Sequence, residues 1–99
     1  MISVNVSFIG KKIKKIIVTG HACYDEYGKD LVCAGVSAIV IGGINDLENE
    51  ISNVDVINED NKLGVNVVND NETIQIILNT ILTQLKTIQE SYPQNIKIN

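Results

Sequence analysis

Residues 20–37 read GHACYDEYGKDLVCAGVS, and this stretch decides how the rest of the chain is arranged. Its first part follows an alternating apolar segment and is typical of a loop that leaves a strand. Its second part, from Asp30 onward, has the apolar character of a buried helix that begins there. The stretch also contains the only histidine of the chain, His21, and both of its cysteines, Cys23 and Cys33. The sequence therefore concentrates its reactive side chains at one connection between a strand and a helix.

The side chains of His21 and Cys33 have the chemistry of a base and a nucleophile. Asp30 suits the N-cap of the helix, because its carboxylate can accept a hydrogen bond from a backbone N–H two or three residues later. Cys33 would then lie in the first turn, where unpaired N–H groups and the helix dipole stabilise a thiolate. The N–H groups of Cys33 and Ala34 could also hold an oxyanion. His21, with an ordinary pKa of about 6.5, could accept the thiol proton and return it to a leaving amine.

The residues leave other interpretations of these side chains open. A cysteine among apolar neighbours is most often a small buried side chain without a chemical role. His21, Cys23 and Cys33 could together bind a metal ion, although their spacing matches none of the paired-cysteine zinc patterns. A thiol redox protein would depend on Cys23 as much as on Cys33.

Length and composition restrict the class of protein. The 99 residues suffice for one domain, residues 1–99, and no apolar run approaches the roughly 20 residues that span a bilayer. The first eight residues alternate in polarity, unlike a secretory signal, so we expect a cytoplasmic protein with reduced thiols. The net charge is −4 and arginine is absent, which disfavours direct binding of nucleic acid. An acidic protein can instead attract a basic peptide.

Apolar periodicity predicts seven elements of secondary structure. Ile2, Val4 and Val6 alternate with polar residues as in a half-buried strand, whereas the apolar residues from 74 to 88 recur at helical steps. The predicted elements are strands over residues 2–8 and 13–19, a helix over 30–50, strands over 53–57 and 63–68, a helix over 72–91 capped by Asn71, and a strand over 95–98. This order, ββαββαβ, predicts a single-domain α+β fold in which two helices pack on a mostly antiparallel sheet.

The first predicted helix is apolar almost all round in its first half, so we expect it to lie in the centre of the fold. Gly35, Gly42 and Gly43 each cost about 1 kcal/mol relative to alanine in a helix. Their presence predicts a close approach by a strand or by a second subunit.

The motif Gly-His-Ala-x-Tyr from Gly20, followed by the run from Tyr27 to Ala38, resembles the signature of the ribosomal-processing cysteine protease family Prp. The chain length and the closing Tyr92-Pro93 before a short strand are also similar to this family. The resemblance covers the whole chain, and its motif is long and mixed in residue type.

The resemblance implies a catalytic dyad of His21 and Cys33, with Gly20, Asp30 and Ser37 as supporting positions. The activity it implies is removal of the short N-terminal extension of the twenty-seventh protein of the bacterial large ribosomal subunit. No metal or cofactor takes part in such chemistry. The resemblance also implies that the protein is a homodimer.

Two tyrosines of the loop, Tyr24 and Tyr27, could line a pocket for the substrate, or they could be loop residues half packed on the domain. Two alternatives to the protease also stay open. One is a ribosome-associated binding module without catalytic activity, which would tolerate replacement of Cys33. The other is a thiol redox or metal protein that uses Cys23 and Cys33.

Overall fold

The structure is a computed structural model that describes the backbone of residues 1–20 and 27–99 and the side chains of residues 1–20 and 31–99. Its elements are β1 (Ile2–Ile9), β2 (Lys12–Thr19), α1 (Tyr27–Asp46), a 3-10 helix (Glu48–Asn53), β3 (Val54–Glu59), β4 (Lys62–Val67), α2 (Glu72–Ser91) and β5 (Ile96–Ile98). The predicted ββαββαβ order is confirmed, whereas the predicted first helix, which extends to residue 50, includes the first residues of what is a separate 3-10 helix. In the part of the chain that the structure describes, no helix is long and apolar enough to cross a membrane.

The five strands form one sheet in the order β3-β4-β2-β1-β5. Three neighbouring pairs are antiparallel, and only the pairing of β5 with β1 is parallel. The two hairpins are local, since β1 pairs with β2 and β3 with β4, but β4 also pairs with β2 and so joins the hairpins. This arrangement confirms the mostly antiparallel sheet of the predicted α+β fold.

Both helices pack on the same face of this sheet. The strand residues on that face are almost fully buried, as Val4, Val18 and Val65 illustrate, and their neighbours along each strand point the other way. The expectation that α1 lies in the centre of the fold is wrong. Leu31 and Ile41 of α1 are 52% and 47% exposed, because a helix that covers one sheet face buries only the side toward the sheet and toward α2.

Close packing of α1 against α2 explains two of the glycines in α1. A Cβ atom at Gly43 would overlap the side chain of Ile81, and one at Gly35 would lie 3.1 Å from Cδ1 of Ile88. Nothing lies within 4 Å of a Cβ atom built at Gly42. A close approach is therefore made at Gly35 and Gly43, but the predicted partner is wrong: it is α2 of the same chain and not a strand or a second subunit.

Hydrogen bonds at its first turns fix α2 on the sheet. The side chain of Asn71 accepts a hydrogen bond from the backbone N–H of Ile74 at 2.9 Å, which confirms the predicted N-cap. One turn later, the amide of Gln75 accepts from the N–H of Ile13 at 2.9 Å and donates to the C=O of Ile13 at 2.8 Å. Ile13 pairs with Phe8 of β1 but lies outside the part of β2 that pairs with β4, Lys15–Thr19, so this amide supplies the backbone partners that β4 does not.

Replacing Gly43 by alanine should lower the stability of the fold, whereas the same change at Gly42 should raise it. Each substitution gains up to about 1 kcal/mol of helix propensity, but Gly43→Ala also forces the buried Ile81 to move, at a cost of about 1–3 kcal/mol. Urea denaturation of both variants measures the difference. Equal stabilisation by the two substitutions would show that α1 and α2 do not pack as closely as described.

Candidate active site

Gly20 holds the end of β2 in a conformation that few other residues adopt. Its φ angle is +74°, and a Cβ atom there would lie 2.5 Å from the backbone oxygen of Met1. The backbone N–H of Gly20 donates a hydrogen bond to Oδ1 of Asn61 at 3.1 Å, in the turn of the second hairpin. Both hairpins therefore fix the point at which the chain leaves the sheet, directly before His21.

Helix α1 begins at Tyr27 and not after Asp30. The prediction that Asp30 is the N-cap is therefore wrong, because residues 27–29 already continue the helix upstream of it. Cys33 is consequently the seventh residue of α1 and lies beyond the first turn, to which the electrostatic effect of the helix end is confined. The N–H groups of Cys33 and Ala34 lie beyond the first four of the helix, so regular helical bonding satisfies them and they cannot hold an oxyanion.

Cys33 lies at the border between the core and the surface. Its side chain is 8% exposed and belongs to the same buried cluster as Val32 and Val36. On the same helix, Ser37 follows one turn later and is half-buried. The packing of α1 therefore presents the sulfur at the edge of the buried face.

Several predicted site residues lie outside the described residues. His21, Cys23 and Tyr24 belong to the stretch 21–26, and the side chains of Tyr27 and Asp30 are likewise outside them. The structure places Gly20 at the end of β2 and Cys33 and Ser37 one turn apart on α1, and the pairing of His21 with Cys33 stays a prediction.

A small cleft that the sequence did not predict extends from Ser37. Its volume is about 280 Å³, and it lies between α1 and the strands β3 and β4. The lining residues are uncharged: Ser37, Ile41, Ile44, Asn45, Val56, Asn58 and Leu63. Helix α1 has more apolar residues than one buried face requires. This excess is the signal in the sequence that could have indicated the cleft.

A larger groove, of about 700 Å³, runs between α1 and α2. It is lined in part by polar residues such as Asn45, Asp46 and Gln84, and neither Cys33 nor Ser37 contributes to it. Size alone would favour this groove as the functional site. Because Ser37, one turn from Cys33, lines the smaller cleft and not this groove, the smaller cleft is the better candidate.

Comparison with known proteins connects this geometry to a family. The family model described as cysteine protease Prp matches residues 1–97. The chain belongs to this family. The resemblance of residues 20–38 is thereby confirmed, and so is the predicted enzyme class, since the chain is a cysteine protease.

Relatives from Staphylococcus aureus resemble the chain over its whole length. The ribosomal processing cysteine protease Prp of this organism is 38% identical, over 100% of this chain and 98% of the relative. A crystal structure of the S. aureus Prp protease with a substrate peptide has a TM-score of 0.86 and 34% identity, over 100% of this chain and 98% of the other. A second one, with a covalently linked product peptide, has a TM-score of 0.87 and 36% identity at the same coverage.

Replacing Gly20 by alanine should destabilise the fold more than replacing Gly10, which also has a positive φ angle. Gly10 has nothing within 4 Å of a built Cβ atom, so Gly10→Ala should cost only backbone strain, about 1 kcal/mol. Gly20→Ala adds the contact with the oxygen of Met1 and should cost about 2–4 kcal/mol. Thermal unfolding measures how far each substitution lowers the free energy of unfolding. Equal losses would mean that the N-terminal segment does not contact Gly20 closely.

Proposed function

We propose that this cysteine protease removes the short N-terminal extension of the twenty-seventh protein of the bacterial large ribosomal subunit during ribosome assembly in the cytoplasm. The observation that carries the proposal is the match of the family signature and of the whole fold to Prp proteases of ribosomal processing. The net charge of −4 further supports a basic substrate such as the end of a ribosomal protein.

In the proposed mechanism, Cys33 acts in its reduced form: its sulfur attacks the scissile carbonyl carbon while His21 takes the thiol proton. The tetrahedral intermediate then breaks its C–N bond, and His21 gives the proton to the leaving amine. The remaining acyl group is joined to Cys33 as a thioester. A water molecule, deprotonated by His21, attacks the thioester carbonyl, so the peptide acid is released and the thiol is restored. No metal or cofactor enters these steps.

The supporting residues have separate proposed roles. Gly20 fixes the start of the segment that carries His21, as its φ angle and its hydrogen bond to Asn61 indicate. Ser37 lies one turn after Cys33 and lines the cleft, and we assign to it a contact with the substrate. We assign the binding of substrate side chains to Tyr24 and Tyr27 and a role in positioning the loop to Asp30.

We also propose that the protease is a homodimer. Helix α1 has an exposed side on which Leu31, Ala34 and Ala38 follow at three- and four-residue steps. An apolar side chain beside small residues permits the close approach of a second helix. Sedimentation velocity of the wild type and of Leu31→Lys measures the oligomeric state and so tests this point separately from catalysis. The variant should shift the protein toward monomer, because it places a charge in the proposed interface.

Cleavage of a synthetic peptide that carries the ribosomal extension, followed by mass spectrometry in reducing buffer, tests the activity and its residues. We expect the wild type to cleave the peptide. Cys33→Ala and His21→Ala should each lower kcat by at least about a thousandfold, since each removes a member of the dyad. Cys23→Ser should retain most of the activity, because Cys23 takes no part in the mechanism.

Three outcomes would contradict the proposal. Cleavage that persists in Cys33→Ala would refute the assignment of the nucleophile. Binding of the peptide without cleavage by the wild type would favour the non-catalytic binding module. Equal loss of function in Cys23→Ser and Cys33→Ala would favour a thiol redox or metal protein.

A further inference from the structure

The sulfur of Cys33 is part of a disulfide bond in the structure. A disulfide sulfur carries no thiol proton and no thiolate charge, whereas the thiolate is the nucleophilic form of cysteine. Cys33 in this form cannot attack a scissile carbonyl, because it has no proton for His21 to take. The structure therefore describes the oxidised protein, and the proposed hydrolysis requires the reduced one.

The sequence leaves one partner for this bond within the chain. Its two cysteines are Cys23 and Cys33, which are ten positions apart. Cys23 lies outside the described residues, two positions after His21. Closing so short a segment costs little chain entropy, since the cost of closing a loop grows with its length. The number of cysteines and their spacing therefore both favour a bond between Cys23 and Cys33.

The buried core holds the fold together without this bond. One apolar cluster extends through both helices and all five described strands, and Cys33 lies at its border with an exposed fraction of 8%. Disulfides of intracellular proteins are usually transient, catalytic or redox-sensing, whereas structural ones belong mostly to secreted proteins. A bond at the proposed nucleophile of a protein that we place in the cytoplasm is therefore better explained by control of the reaction than by support of the fold.

The proposed dyad makes the reduced sulfur sensitive to oxidation. Transfer of the thiol proton to His21 leaves a thiolate, which is the form that hydroperoxides oxidise. The first product is a sulfenic acid, and further oxidation gives a sulfinic acid that ordinary thiols do not reduce. A second thiol that condenses with the sulfenic acid stops this sequence at a reducible disulfide. Cys23 supplies such a thiol, and no step of the proposed hydrolysis uses it.

We propose that Cys23 and Cys33 form a reversible oxidation site that switches the protease off under oxidising conditions. The Cys33 thiolate attacks a hydroperoxide, the O–O bond breaks, and a sulfenic acid and an alcohol, or water, are formed. The Cys23 thiol then attacks the sulfenic sulfur, and the S–S bond forms as water leaves. The two thiols lose two electrons and two protons, which the hydroperoxide takes up. A dithiol reductant reverses the bond by two exchange steps and itself becomes a cyclic disulfide.

Peptide mapping tests the bond without any measurement of activity. The reduced protein is treated with one equivalent of hydrogen peroxide, blocked with iodoacetamide and digested with trypsin in the absence of reductant. Lys29 lies between the two cysteines, so trypsin separates them into residues 16–29 and 30–62. We expect these two peptides to be joined. The intact protein should be about 2 Da lighter than its reduced form, which is the mass of the two hydrogen atoms lost.

Cleavage of the ribosomal-extension peptide tests the consequence for activity, with Cys23→Ser as the matched control. After treatment with excess peroxide, the wild type should lose at least about 20-fold in kcat/KM and regain at least about four fifths of it when dithiothreitol is added. Cys23→Ser should lose its activity without recovering it, because Cys33 proceeds to the sulfinic acid and the protein gains about 32 Da. This inference rests on the proposed function, since the loss of activity requires Cys33 to be the nucleophile.

Different results would refute the switch and the proposed function. Peptides 16–29 and 30–62 that stay unjoined after oxidation, or a bond between Cys33 of one copy and Cys33 of another, would overturn the switch alone. Equal recovery of activity in the wild type and in Cys23→Ser would do the same. A wild type that is joined and fully active, or a reduced wild type that cleaves no peptide, would refute Cys33 as the nucleophile, and the switch with it.

Discussion

The burial of one side of α1 against the sheet and α2 is the constraint on which the rest of the site depends. Gly35 and Gly43 let Ile88 and Ile81 of α2 approach the backbone of α1, and this contact fixes the rotation of the helix about its own axis. The rotation in turn places Cys33 at the edge of the buried side, where its sulfur is close to the surface. A rotation by a third of a turn would move Cys33 either into the core or to the exposed side of the helix.

The two hairpins together hold Gly20, the last described residue before His21. Because β4 pairs with β2, the turn of the second hairpin lies beside the end of the first, and Asn61 can hold the backbone of Gly20. The chain enters the segment with His21 from a point fixed by three parts of the molecule, namely β2, the second turn and the N-terminal strand. The position at which the chain leaves the sheet is therefore fixed by contacts between segments far apart in the sequence.

Apolar side chains also lie on the surface of α1 beyond its buried side. Toward β3, Ile41 and Val56 form the walls of a cleft that continues from Ser37. On the exposed side, Leu31 lies near small residues that suit a second helix. A helix that is apolar almost all round in its sequence need not be central. In this chain we explain the excess apolar surface by substrate binding and by self-association.

Local sequence pattern alone determined the order of the elements, the apolar side of α2 and its Asn71 cap. It also determined that His21 and Cys33 belong to one strand-to-helix stretch. These features depend on periodicity and on residues a few positions apart. Only the tertiary structure decided that α1 begins before Asp30, that α2 is what approaches its glycines, and that β3 and α1 enclose a cleft. Such features depend on which distant segments pack together. Several segments of this chain have similar hydrophobicity, and long-range packing selects which of them contact each other. That selection leaves no local signal in the sequence.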